Sequence, residues 1–121
     1  MKIIEQEEVR KLLQPKDCIQ LMAEALKGLE SGEYAQPARL ITVMPNTAKF
    51  GFMPAYVGDY FGAKVISAFA PNMGTKYPSH IGYVMLFESA HSTVAGMIEA
   101  GSITEIRTGA VSAAATDLLA R

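Results

Sequence analysis

Val84-Met85-Leu86-Phe87 is an unbroken apolar run, and shorter runs of the same kind recur at Leu40-Ile41 with Val43 and at Val65-Ile66. Successive side chains of a strand point to opposite faces of the sheet. Such runs therefore leave apolar groups on both sides, and both sides need cover. The chain offers two helices ahead of its strands, and two helices do not easily cover both faces of a sheet of about five strands. A second copy of the chain supplies the missing cover. The expectation is a homodimer with strands or their faces at the interface.

The 121 residues fit one domain, and half of them are hydrophobic, enough for a core. A net charge of -1 leaves no basic stripe for nucleic acid or an anionic membrane. No apolar run is long enough to span a bilayer, and MKIIEQEEVRKLL lacks the apolar stretch of a signal peptide. The single cysteine, Cys18, excludes a disulfide framework and a cysteine metal cluster. It lies in CIQLMAEAL and reads as a small core residue. These features set a cytoplasmic location as the expectation.

Ile3 and Ile4 read as a short strand or a lead-in. Val9, Leu12 and Leu13 mark a short helix over Glu7–Leu13. Pro15 suits the first turn of a second helix. Ile19, Met22, Leu26 and Leu29 form its apolar stripe, and Ser31-Gly32 stops it. Strands are expected over Arg39–Met44, Phe50–Val57 and Phe61–Phe69. Pro54 removes a ladder donor, so its strand lies at an edge or kinks there. Ala70–Ile81 is a long loop carrying Asn72, Ser79 and His80. Gly82–Glu88 and Thr93–Glu99 read as a hairpin around Ser89-Ala90-His91-Ser92, with Glu88, His91 and Glu99 solvated. The histidines have no partners, so no metal site is expected.

The final stretch, Gly101–Arg121, reads as a helix opened by a capping box, Ser102-Ile-Thr-Glu105. Arg107 falls about one turn in, with no carboxylate on its own face. It is a solvated arginine or an anion receptor at a helix start, and spacing alone favours the former. Lys64, set between Ala63 and Val65, is likewise a snorkelling edge residue or a group placed to meet an anion. Together these elements predict an α+β fold: two N-terminal helices, a mixed or antiparallel sheet of about five strands, and a C-terminal helix. No Gly-x-Gly-x-x-Gly follows a strand, and no Gly-x-Ser-x-Gly or Cys-His pair is present.

Five short motifs in order resemble the ornithine cyclodeaminase/mu-crystallin family. They are Pro37-Ala38-Arg39, Met53-Pro54-Ala55-Tyr56, Gly62-Ala63-Lys64-Val65, Pro71-Asn72 and Ile103-Thr104-Glu105-Ile106-Arg107-Thr108-Gly109-Ala110. The resemblance covers essentially the whole chain. It implies that residues 1–121 form a substrate-binding and dimerisation domain, and that the sequence stops near where a Rossmann domain for NAD(P) is expected to begin. The abrupt stop at Arg121 then reads as a truncated product or an isolated domain.

Position by position, the resemblance implies that Arg39 and Lys64 receive the substrate carboxylate and that Met53 lines the pocket. It implies that Arg107 meets the substrate near the cofactor, and that Ser79 touches the dinucleotide. Two or three fixed cations would orient an α-amino or α-imino carboxylate, and the nicotinamide would supply the hydride chemistry. The turn 89–92 departs from the family in lacking a glycine. No general acid or base is assigned, because the family's catalytic aspartate and cofactor fingerprint fall outside these residues. The implied function is the N-terminal part of an NAD(P)-dependent cyclodeaminase, alanine dehydrogenase or ketimine reductase. The alternative is a non-catalytic dimerisation or small-anion-binding module. Residues 1–121 alone are expected not to hold the dinucleotide stably or to turn substrate over.

Overall fold

The computed structural model describes residues 1–120. The elements run β1 (Lys2–Ile4), α1 (Gln6–Leu12), α2 (Pro15–Ser31), β2 (Leu40–Val43), β3 (Lys49–Val57), β4 (Tyr60–Ala68), β5 (His80–Glu88), β6 (Val94–Glu99) and α3 (Ala100–Leu119). The fold is α+β, as the sequence predicts. The sheet has six strands in the order β1-β6-β5-β4-β3-β2. All neighbours are antiparallel except β1, which runs parallel to β6. The sixth strand is the short Lys2–Ile4 segment.

Local chemistry explains most element ends. Pro15 opens α2, and Gly32 closes it at φ 80, a left-handed conformation that glycine adopts without a Cβ clash. Pro54 is tolerated for a positional reason. The backbone N–H of Tyr56, two residues on, points away from β4 and donates to Ala35. The nitrogen of Pro54 points the same way, beyond the Leu40–Phe52 end of β2, where no ladder donor is required. In the β5–β6 turn, Ser92 takes a positive φ of 57°, a left-handed conformation that favours glycine.

Two glutamates overturn their expected solvated roles. β6 runs into α3 without a loop, so the helix starts at Ala100 and its N-cap is Glu99, not Ser102. The Glu99 carboxylate accepts from the amides of Gly101 and Ser102. Burial pushes its pKa up, but the hydrogen bonds from the Ser102 and Gly101 amides outweigh burial and hold it below the ordinary 4.5. The Ser102 hydroxyl itself is buried without a partner in hydrogen-bond geometry. Glu105 does not reach back to the cap; it pairs with Arg10 of α1 at 2.6 Å. Glu88 organises the β5–β6 turn, accepting from the amides of His91 and Thr93 and from the Thr93 hydroxyl. Those bonds, from Thr93 first, hold its pKa low.

Glu99→Ala should cost about 1 kcal/mol of stability at neutral pH, the usual value of an N-cap side chain. Because the folded pKa is depressed, this contribution is present above the ordinary glutamate value and is lost as pH falls through the folded value. Thermal melts of wild type and variant should therefore differ at neutral pH and converge in acid. An equal gap at both would rule out the cap.

The helices lie on one side of the sheet. α3 packs along α2 and against β5, and α1 touches α3 and β6. The fully buried apolar residues are small: Val9, Cys18, Ala48, Ala100, Ala110 and Ala114. Three of these belong to α3, whose thin flank lets its backbone approach its neighbours closely. The chain exposes 8652 Å², whereas a compact monomer of its mass exposes about 6,300 Å². Many large apolar side chains contribute to the exposed surface. On the sheet face turned away from the helices, Leu40, Phe50, Phe52 and Ile81 are all exposed. No helix is long and apolar enough to cross a membrane.

Candidate functional site

The cross-strand register places the first two site residues. Met53 of β3 lies opposite Lys64 of β4, so both side chains stand on the same face. That face meets α3, since Lys64 Nζ donates to Thr104 Oγ1 at 3.3 Å. On α3, Thr104, Arg107 and Val111 follow at helical spacing and share one side. Arg39 arrives from the segment just ahead of β2.

Arg39, Met53, Lys64 and Arg107 line a single pocket of about 640 Å³. Met22, Leu26 and Leu29 of α2 form its apolar wall, and Gln36 and Pro37 border it. The α2 stripe, which periodicity reads as core, is therefore partly pocket wall: Leu26 remains 53% exposed. Spacing gave no signal for this, because an apolar stripe looks the same against a core or a cavity. Tyr34 also lines the pocket, and Gly28 permits it, since a Cβ at Gly28 would collide with the Tyr34 ring.

The pocket lining contains no carboxylate. Among the described residues the ion pairs are Lys2–Glu8 and Arg10–Glu105, with His91 Nδ1 3.8 Å from Glu88, and none involves Arg39, Lys64 or Arg107. Burial lowers the Lys64 pKa below the ordinary 10.5, and the charges of Arg107 and then Arg39 lower it further. Three cations thus press on one another across an apolar-walled space, an arrangement that an anion would relieve. Burial raises the Cys18 thiol pKa, with Arg107 pulling the other way. No group of three or more His, Cys, Asp or Glu capable of holding a metal occurs among the described residues.

One sequence expectation changes here. α3 begins at Ala100, so Arg107 sits about two turns in rather than one. The helix-terminal field fades within the first turn, and Glu99 already takes amides there. Arg107 can meet an anion only through its guanidinium. Ser79 is not brought to the pocket lining; its Oγ lies 3.3 Å from His80 Nδ1. His80 instead lines a second cavity of about 450 Å³ with Ile66, Thr104 and Glu105. Lys64 borders both cavities.

Residues 1–121 match the ornithine cyclodeaminase/mu-crystallin family along their whole length. The chain belongs to that family. The ketimine reductase mu-crystallin of Mus musculus is 34% identical over 101 residues, which cover 81% of this chain and 32% of the mouse protein. The Δ1-pyrroline-2-carboxylate reductase of Thermococcus litoralis, solved with NADH and L-proline, is 28% identical with a TM-score of 0.91. It matches 100% of this chain over 38% of its own. An archaeal alanine dehydrogenase dimer with bound NAD has the same fold, with a TM-score of 0.91 over 98% of this chain and 37% of its own, at 24% identity. The chain thus spans about a third of the length of the curated relatives it matches.

Proposed function

We propose that residues 1–121 are the substrate-binding and dimerisation part of an NAD(P)-dependent enzyme acting on a small amino or imino acid. Arg39 and Lys64 receive the substrate carboxylate, Met53 packs against the substrate, and Arg107 stands on the cofactor-facing side. The observation that carries this reading is the pocket itself: three cations without a carboxylate partner among the described residues, gathered on apolar walls. Stability alone does not favour bringing them together. Family relatives that bind NAD, NADH and L-proline support the substrate class.

The Ser79 contact with the dinucleotide rests on resemblance, since Ser79 lines neither cavity. These residues contain no Gly-x-Gly-x-x-Gly fingerprint, so a dinucleotide site needs groups beyond them. That same fact supports the second reading, a non-catalytic dimerising or anion-binding module.

L-Proline and L-prolinamide separate a carboxylate receptor from a generic apolar pocket, because they differ only in the group the cations would hold. Calorimetric titration should detect the acid and not the amide. Equal binding of both, or of neither, counts against the receptor. Purified 1–121 should neither oxidise NADH with cyclic imino acids nor release ammonia from ornithine. Turnover that Lys64→Ala abolishes would overturn the division of labour proposed here.

A further inference from the structure

We infer that Thr104 is a positioning residue for Lys64: its hydroxyl oxygen holds the ammonium at the boundary of the two cavities, on the anion-binding side of α3. The inference rests on the reading of the pocket given above and adds a residue that reading does not use.

The geometry is specific. Lys64 Nζ and Thr104 Oγ1 are 3.3 Å apart, between residues 40 apart in sequence. Among the described residues this hydroxyl is the one hydrogen-bond acceptor the ammonium meets. A lysine head group carries three donors on a flexible four-carbon stem, so one fixed acceptor decides where the other two N–H groups point. Thr104 lies on the half-buried flank of α3, so its hydroxyl is presented to β4 from a regular helix.

The charged surroundings give that acceptor its importance. Arg39 faces Lys64 from the segment before β2, and Arg107 faces it from α3. His80 of β5 and Glu105 of α3 border the second cavity beside it. The cations push the ammonium away from the anion site, and Glu105 is held by Arg10 instead. Without Thr104 no described side chain accepts from the ammonium, and the repulsion from the two arginines is left unopposed.

The test follows the Lys64 Cε resonance by NMR, assigned by its loss in Lys64→Met. An accepted hydrogen bond favours the charged form. Thr104→Val keeps the shape and removes the acceptor, so it should lower the Lys64 pKa further, by about half a unit or more. Thr104→Ser should restore it. L-Proline affinity should fall about fivefold in the valine variant and recover with serine. A purely structural role would not produce the serine rescue of the pKa. If valine disturbs α3, judged by circular dichroism, Thr104→Ala serves. An unchanged or raised Lys64 pKa in the variant lacking the hydroxyl overturns the inference. If Lys64→Met loses proline binding while that pKa stays unchanged, only this inference fails. If Lys64→Met binds proline normally, the pocket reading fails and the pKa comparison still decides the role of Thr104.

Discussion

Lys64→Met should remove carboxylate binding and at the same time raise the thermal midpoint of the ligand-free protein. The two effects share one cause. Lys64 is partly buried beside Arg107 and Arg39, and each of these conditions penalises its charge. Methionine keeps most of the stem's length and apolar contact, removes the charge and tolerates an irregular site. The stability gain is modest because the group is largely solvent-screened: below about 1 kcal/mol, or about 3 °C in midpoint for a domain of this size.

The pH dependence has a definite sign. A lysine pKa lowered in the fold means that the unfolded chain holds more protons between the folded value and the ordinary 10.5. Wild-type stability therefore rises with pH across that window, and the charge penalty is fully present below it. The advantage of methionine should be largest at neutral pH and vanish as pH climbs towards the ordinary lysine value. Binding moves much further. A hydrogen-bonded charge contributes about 1.5–3 kcal/mol, so L-proline affinity should drop roughly 10- to 100-fold. A variant both destabilised and unimpaired in binding would contradict the receptor reading on both counts. Protein concentration must be held fixed, since association also shifts the midpoint.

The same residues mark where sequence reasoning reached its limit. Local signals placed α2 between Pro15 and Gly32 and found the strand runs, because proline, glycine and branched residues act within a few positions. The start of α3 was misplaced because Ser102 and Glu105 fit the local capping pattern, while the carboxylate that takes the amides is on the last residue of β6. A strand feeding directly into a helix leaves no turn residues to announce it. β1 was too short, and too dependent on a distant partner, to be more than an option. Arg39, Lys64 and Arg107 are brought together by a sheet register and a helix packing that no sequence spacing encodes. Only the family resemblance pointed to them as a set. The Lys64–Thr104 bond left no sequence signal at all.

Phe52→Asp should convert the proposed dimer into a monomer or an unfolded chain. The register puts Leu40, Phe52, Val65 and Tyr83 in one row across β2 to β5, on the face opposite Lys64. Beside that row, Phe61 and Phe87 stack with centroids 5.3 Å apart. Phe52 is 42% exposed in the single chain, although large apolar groups in such a row belong under cover. The apolar residues that the single chain buries are all small, Val9 and Cys18 with four alanines, and the large apolar side chains stay partly open. Its surplus exposure of roughly 2,300 Å² exceeds the roughly 800 Å² that one partner contributes to a standard interface. A second copy laid on this face would bury the aromatic rows against each other and finish the core. Aspartate at the centre of such a contact would bury an unpaired charge. The penalty is several kcal/mol, weakening association on the order of a thousandfold. Light scattering at micromolar concentration should give the wild type twice the mass of one 13.0 kDa chain. The variant should scatter as a monomer or lose its cooperative melt. Lys49→Asp, on the opposite face by register, controls for the added charge. A wild type that is monomeric and fully folded at that concentration would sink the proposal, because its exposed aromatic face would then need no partner.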